Sequence, residues 1–554
     1  MTTDEEASTP SKRRRVAAGV LTGLACLLTL FALVVPNQLG QLTPWAFLRI
    51  PVEALVAAAV LIFLPRRARA IVAAVLGALV GSLMIVRMID MGFYAAFDRP
   101  FDLMFDWSFF GPAVNFLTNA TGHVGAIAVV IGAIVLAVGV ISLSALAAIR
   151  LSRLAARRRE TTIRTIAVLA VVWVFCAVFS VQLTPGQPFA ARSAAVYAYD
   201  EARQVRADMR DQGAFTDEVA TDAFRDTPGS ELLTALRGKD VVFTFIESYG
   251  RVAVQGSDIA PGVDKVLDDG SAALRQAGFA SRSAFLTSPT FGGGSWLAHS
   301  TFQSGVWINN QRRYDNLITG DRFTFSHAFK RAGWRTVGDL PENMYDWPEG
   351  AFYQYDKLYD SRNVGYRGPK YFYAQMPDQY TMSAFQGLER AQPGHAPVMA
   401  EIDLVTSHTP WAPLPTMVDW NTVGDGAVFN PQPKAAKQPE DVWPDPTKIR
   451  AAYGESIQYS LTTLIQYVQN YGDNNLVLVF LGDHQPAPIV SGENASHDVP
   501  VTIVAKDPAV LDRIAGWGWQ DGLHPDPRAP IWPMSQFRDR FLAAFGSQGT
   551  AGTR

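Results

Sequence analysis

The chain has 554 residues, more than one ordinary domain, and its 48 Lys+Arg against 51 Asp+Glu give a formal net charge of −3. That balance shows no basic excess and excludes the electrostatic footprint of a nucleic-acid binder. Hydrophobic residues make up 48% and charged residues 18%, an average over two unlike halves.

The first third is apolar. Five runs, at 16–35, 43–64, 70–90, 123–149 and 163–183, each approach the roughly 20 residues a helix needs to cross a bilayer. The first is too long, and lacks the small-residue cleavage pattern, for a cleaved signal peptide. Basic stretches precede run one ("SKRRR"), separate runs two and three ("RRAR", 66–69) and separate runs four and five (150–164), whereas the other two loops hold only Arg99. Basic loops stay cytoplasmic. The N-terminus is therefore expected inside and everything beyond about residue 185 outside. Two spans carry charge pairs, Arg49 with Glu53 and Arg87 with Asp90, spaced to share a helix face. Either they are functional, as intramembrane charges often are, or Arg49 and Glu53 neutralise each other while Arg87 and Asp90 reach the interface. The loop 90–107 is rich in aromatics and Asp and reads as an outward interfacial segment. Both cysteines, Cys26 and Cys176, fall inside runs. The expected organisation is a transmembrane domain over 1–184, a connector helix and linker over 185–236, and an extracytoplasmic domain over 237–545.

From 237 onward apolar strand-like runs (241–246, 335–340, 397–405, 476–482, 500–506) alternate with helical stretches such as 262–278 and 455–472. Near-continuous apolar strands alternating with helices predict an α/β domain with a mostly parallel sheet covered on both faces. Ligands of such sheets bind beyond the carboxyl ends of the strands. "DVVFTFIESYG" runs a strand into Glu247, and "LVLVFLGDHQP" runs another into Asp483 and His484. Glu, Asp and His delivered to one edge suit a divalent cation such as Mn²⁺, Mg²⁺ or Zn²⁺.

"FIESYG" followed far downstream by "VFLGDHQP" resembles the alkaline phosphatase superfamily. The similarity is greatest to its membrane-bound, sulfatase-like branch of lipoteichoic acid synthases and phosphoglycerol transferases, which share the layout of about five spans, a connector helix and an outer catalytic domain. The resemblance implies a Thr or Ser nucleophile in the Gly-rich segment, here Ser295 in "SPTFGGGSWLAHSTFQSG", with Thr290 as the competing hydroxyl. Ser stands where the relatives carry Thr. The nucleophile would join Glu247, Asp483 and His484 around one cation, Mn²⁺ first among the three ions, at the start of a helix near Trp296. The resemblance further places His408, in "EIDLVTSHTPW", and Trp347, in "ENMYDWPEG", at the substrate. His299, one helical turn after Ser295, either orients the nucleophile or caps the helix. Asp378-Gln379 matches a family turn without a role. "TSPTF" lacks the Cys and Arg of the formylglycine motif, which disfavours a sulfatase, and the cysteine-free outer domain fits poorly with the disulfide-rich phosphoethanolamine transferases.

The implied activity is two-step transfer of a phosphoglycerol group. The donor would be a membrane lipid such as phosphatidylglycerol, the carrier a seryl intermediate, and the acceptor an envelope glycan or glycerophosphate polymer. A membrane phosphodiesterase that passes the intermediate to water, and a non-catalytic envelope scaffold, are the alternatives.

Overall fold

The computed structural model describes residues 12–184 and 187–547. Residues 1–11 of the expected transmembrane domain, and 185–186 at the start of the expected connector, lie outside the described residues. Contacts divide the chain into two compact units, one running through Asp211 and one from Gln212, with 96–98 grouped in the second.

In the first unit, helices Arg13–Val34, Arg66–Phe97, Thr121–Arg157 and Arg159–Val178 are long and apolar enough to cross a membrane. The second expected run differs. Only Val52–Phe63 is helical, and its 12 residues extend about 18 Å, against the ~30 Å of a hydrocarbon core. The prolines explain the loss: Pro44 opens a short 3₁₀ turn and Pro51 stands at the N-cap, so no single helix threads the run. The charge pairs also depart from expectation. Arg87 (2% exposed) and Asp90 (0%) are buried inside the protein instead of extending into solvent. Arg87 donates to the carbonyls of Val35 at 3.0 Å and Ser193 at 2.8 Å. Asp90 accepts from Phe101 N, Asn37 Nδ2 and Tyr197 Oη. Arg49 donates to the Ala46 and Val34 carbonyls, and Glu53 accepts from Ala195 N, so these two serve backbone groups instead of each other. The expected connector is helical over Ser193–Ala220, and the division between the units falls within it.

The second unit is built on a sheet of nine strands among the described residues. They are β1 (Asp240–Ile246), β2 (Ala280–Thr287), β3 (Arg335–Leu340), β4 (Lys357–Asp360), β5 (Val398–Leu404), β6 (Leu476–Gly482), β7 (Asp498–Ala505), β8 (Gln520–Asp521) and β9 (Ile531–Pro533). The sheet runs β8-β2-β7-β6-β1-β5-β3-β4, with β9 beside β2. From β6 to β4 every pairing is parallel. β7 is antiparallel to both β6 and β2. The connection over 483–497 holds only the four-residue helix Pro488–Ser491, too little for a crossover, so the chain reverses there. β2 was not among the apolar runs because Ser281, Arg282 and Ser283 interrupt it. All seven residues of β1 and of β6 are buried, as strands covered on both faces must be. Phe243 of β1 packs on Phe302, Phe325, Phe329 and Phe541, which joins three helices to the sheet centre.

Candidate active site

Three adjacent parallel strands end together: Ile246 of β1 lies beside Gly482 of β6 and Leu404 of β5. The chain after each strand therefore emerges at one edge. The approach is close, because a Cβ on Gly482 would lie 2.0 Å from the Tyr249 carbonyl oxygen. Ser248 adopts φ 57°, a left-handed conformation that costs a non-glycine residue on the order of 1 kcal/mol. It turns the Ser248 N–H onto Asp483 Oδ1 at 2.7 Å.

Glu247, Asp483 and His484 converge, each offering a ligand atom within 4.8 Å of the others. His484 Nε2 lies 3.5 Å from Glu247 Oε1 and 3.3 Å from Asp483 Oδ2. Two donors bound to one tetrahedral ion at about 2.0–2.2 Å lie about 3.3–3.6 Å apart, so the spacing fits a shared cation. The donors are also oriented for it. His484 Nδ1 is 2.8 Å from the Gln485 carbonyl, which fixes the proton there and turns Nε2 inward. Asp483 Oδ1 accepts from two backbone N–H groups, whereas its buried Oδ2 accepts no hydrogen bond. Burial, then the Glu247 charge, pushes the Asp483 carboxyl up to about 6.

Ser295 joins this group. Its Oγ donates toward Glu247 Oε2 at 3.1 Å and lies 3.2 Å from His484 Nε2. The helix Ser295–Ser304 begins at Ser295 itself, one residue before the expected start, with Gly294 as a left-handed N-cap. Gly292 N–H donates to the Gln485 carbonyl at 2.9 Å, which ties the glycine loop to the His484 loop. Thr290 instead has its Oγ1 3.4 Å from Ser288 Oγ and does not line the pocket.

The pocket has a volume of about 370 Å³ and includes both expected substrate residues. Trp347 stacks on Tyr353 at 5.5 Å and His408 on Tyr373 at 3.5 Å. His408 is neutral and presents an acceptor to the pocket. Burial holds its imidazole down to about 4, and Nδ1 bonds the Thr409 carbonyl, so Nε2 is an uncharged acceptor. It suits a substrate hydroxyl better than a phosphoryl oxygen. Asp378, without an expected role, is fully buried and accepts from Thr406 N and Oγ1 and from Ser460 Oγ, which anchors the loop leading to His408.

A second group went unread in the sequence. His299 Nδ1 lies 3.1 Å from Glu401 Oε1 and 3.5 Å from Asp403 Oδ1, and all three line the same pocket. His299 neither contacts Ser295 Oγ among the described hydrogen bonds nor caps the helix. Glu401 and Asp403 alternate along β5, and that i,i+2 spacing on one strand face was the available signal. Glu342 also lines the pocket, and burial pushes its carboxyl up to about 7.

No family model and no curated protein matches the chain. Among solved structures, it is similar to the integral membrane lipooligosaccharide phosphoethanolamine transferase A from Neisseria meningitidis, at 10% identity over 95% of each chain with a TM-score of 0.44. It is similar to the lipoteichoic acid synthase LtaP from Listeria monocytogenes, at 14% identity over 61% of this chain and 81% of that one, TM-score 0.37. It is also similar to the Streptococcus pyogenes phosphoglycerol transferase GacH in complex with sn-glycerol-1-phosphate, at 12% identity over 60% and 90% of the two chains, TM-score 0.34.

Proposed function

We propose that the chain is a membrane-anchored, metal-dependent transferase of substituted phosphoryl groups, with Ser295 as nucleophile and phosphatidylglycerol as donor. The observation that carries this is the meeting of one hydroxyl with Glu247, Asp483 and His484 beside a pocket that Ser295, Glu247 and Asp483 line. A divalent cation held by these four side chains would lower the hydroxyl pKa and offset phosphoryl charge. A donor set of hydroxyl, two carboxylates and one imidazole, without thiolate, accommodates Mn²⁺, Mg²⁺ or Zn²⁺, and Mn²⁺ is the ion we propose first.

Ser295 Oγ attacks phosphorus, the bond from phosphorus to the diacylglycerol oxygen breaks, and the hydroxyl proton leaves with diacylglycerol. An acceptor hydroxyl on an envelope glycan or glycerophosphate polymer then attacks the glycerophosphoryl-serine, and its proton restores Ser295. Two devices of the chain support these steps. The helix starting at Ser295 turns the positive end of its dipole toward an anion bound there. His408 Nε2 accepts from a glycerol or acceptor hydroxyl. Apolar N-terminal helices suit a chain whose donor and diacylglycerol product are membrane lipids, and the basic stretches at 12–15, 66–69 and 150–164 support an outward-facing catalytic unit.

The test is purified protein with labelled phosphatidylglycerol and Mn²⁺. Diacylglycerol should be released and glycerophosphate should appear on the peptide containing Ser295. Release without transfer to any glycan acceptor would make the protein a phosphodiesterase. No release, with Ser295→Ala indistinguishable from the wild type, would overturn the proposal.

A further inference from the structure

The pocket carries five carboxylates: Glu247, Glu342, Glu401, Asp403 and Asp483. No Lys or Arg lines it among the described residues. A phosphodiester is an anion, and one divalent cation beside Glu247 and Asp483 leaves three acids facing it. We infer that His299, Glu401 and Asp403 form a second divalent-cation site in this pocket.

The geometry of the second group repeats that of the first. Its ligand atoms all lie within 4.8 Å of one another; of the separations from His299 Nδ1, 3.5 Å falls within the roughly 3.3–3.6 Å between two ligands of one tetrahedral ion and 3.1 Å just below it. An imidazole with two carboxylates is a common ligand set for Zn²⁺ and is equally open to Mn²⁺.

Internal bonds do not use up the group. Nδ1 has one hydrogen to give, and Glu401 is nearer than Asp403. Asp403 Oδ1 is shut off from solvent and accepts no hydrogen bond, and its ion-pair contact with His299 Nδ1 at 3.5 Å leaves that capacity unused, which is costly for a buried carboxylate oxygen. A cation would satisfy it.

The surrounding residues hold the ligands in place. His299 stacks on Phe245 at 3.8 Å. Glu401 Oε2 accepts from Tyr355 Oη at 2.9 Å and from Gln303 Nε2, which leaves Oε1 toward His299. Partners of this kind fix ligand orientation at metal sites. His299 lies on the Ser295 helix, one turn beyond the hydroxyl, and Glu401 and Asp403 on β5, so a cation held by them would add positive charge to the pocket that takes an anionic substrate. For that role it rests on the proposed phosphoryl transfer; for its existence it does not.

The test is full-length protein in detergent, stripped with chelator and titrated with Mn²⁺, bound ion being read from the loss of the free-ion electron paramagnetic resonance signal. Two equivalents are expected for the wild type. Asp403→Asn and, independently, His299→Asn should each bind one. Glu247→Gln should also lose one, and Glu247→Gln combined with Asp403→Asn should lose both. Thermal melts identify any variant that fails to fold, and the wild-type stoichiometry needs no variant. One equivalent in the wild type, unchanged by Asp403→Asn and His299→Asn, would overturn the inference and leave His299 as the partner of an internal ion pair. Two equivalents together with no diacylglycerol release would sink the proposed reaction while supporting the second site.

Discussion

Asp90 in the first unit and Asp483 in the second are both 0% exposed, yet their surroundings differ. Every oxygen of Asp90 is occupied: Oδ1 by Phe101 N at 2.9 Å, Oδ2 by Asn37 at 3.0 Å and Tyr197 at 2.8 Å. Arg87, one turn earlier, is likewise spent on backbone carbonyls of the first helix and of Ser193. Asp483 is bonded at Oδ1 only, and its Oδ2 is turned toward His484 Nε2 without a donor. A buried charge whose bonding capacity is used up holds a fold together. One left half-used beside the Ser295 hydroxyl is fitted to a ligand.

Substitutions can break that contrast. The largest effect is expected for Ser295→Ala, with turnover reduced about 10³-fold or more and the melting temperature nearly unchanged, as read by diacylglycerol release. Ser295→Thr should retain part of the activity, because it keeps a hydroxyl at the same point. Asp483→Asn should follow closely: it keeps the two backbone bonds at Oδ1 but removes the charge at Oδ2, so metal content and turnover should fall together. Retention of the full metal content would place the ion elsewhere.

Asp339 sharpens the contrast because it is 1% exposed, has neither oxygen bonded, and does not line the pocket. Burial, then Glu342 and Asp360, pushes it up to about 8. The folded protein thus keeps a proton that the unfolded chain releases above about pH 4. Stability from this group falls as pH rises from about 4 to about 8. Asp339→Asn does not titrate, so it should raise the melting temperature more at about pH 8 than at about pH 5, each unit of pKa corresponding to about 1.4 kcal/mol. An equal change at both pH values would show that Asp339 is ionised and paired.

The mildest functional effect is expected in the first unit. Asp90→Ala should destabilise by about 3 kcal/mol, because it strands one buried and two half-buried donors, while bound metal stays at the wild-type level. Thermal unfolding in detergent with metal analysis checks this, and loss of metal in Asp90→Ala would abolish the distinction between the two aspartates.

The legible features are those written along the chain. The β1 and β6 runs announced themselves as apolar stretches ending in Glu247 and in Asp483-His484, and all-buried strands look that way wherever they sit. The second apolar run looked equally continuous, but composition hid what Pro44 and Pro51 do to a helix. β2 and the antiparallel direction of β7 depend on pairing across the sheet, which no local pattern reports. Glu401 and Asp403 passed as polar interruptions of an apolar strand, because their meaning comes from His299 on another element.

By itself the sequence determined the apolar N-terminal third, the α/β alternation beyond residue 237, and which acids and histidine follow strand ends, since each depends on hydrophobic periodicity or its interruption. Tertiary structure alone decided that β1, β6 and β5 stand side by side and that Gly482 lets two strand ends close up. It also decided that the glycine loop carries Ser295 to within 3.2 Å of His484. It left Asp90 saturated and Asp483 half-bonded, although both are buried aspartates. Composition and periodicity set burial, whereas the direction and supply of donors around a buried carboxylate are properties of chain segments far apart in sequence.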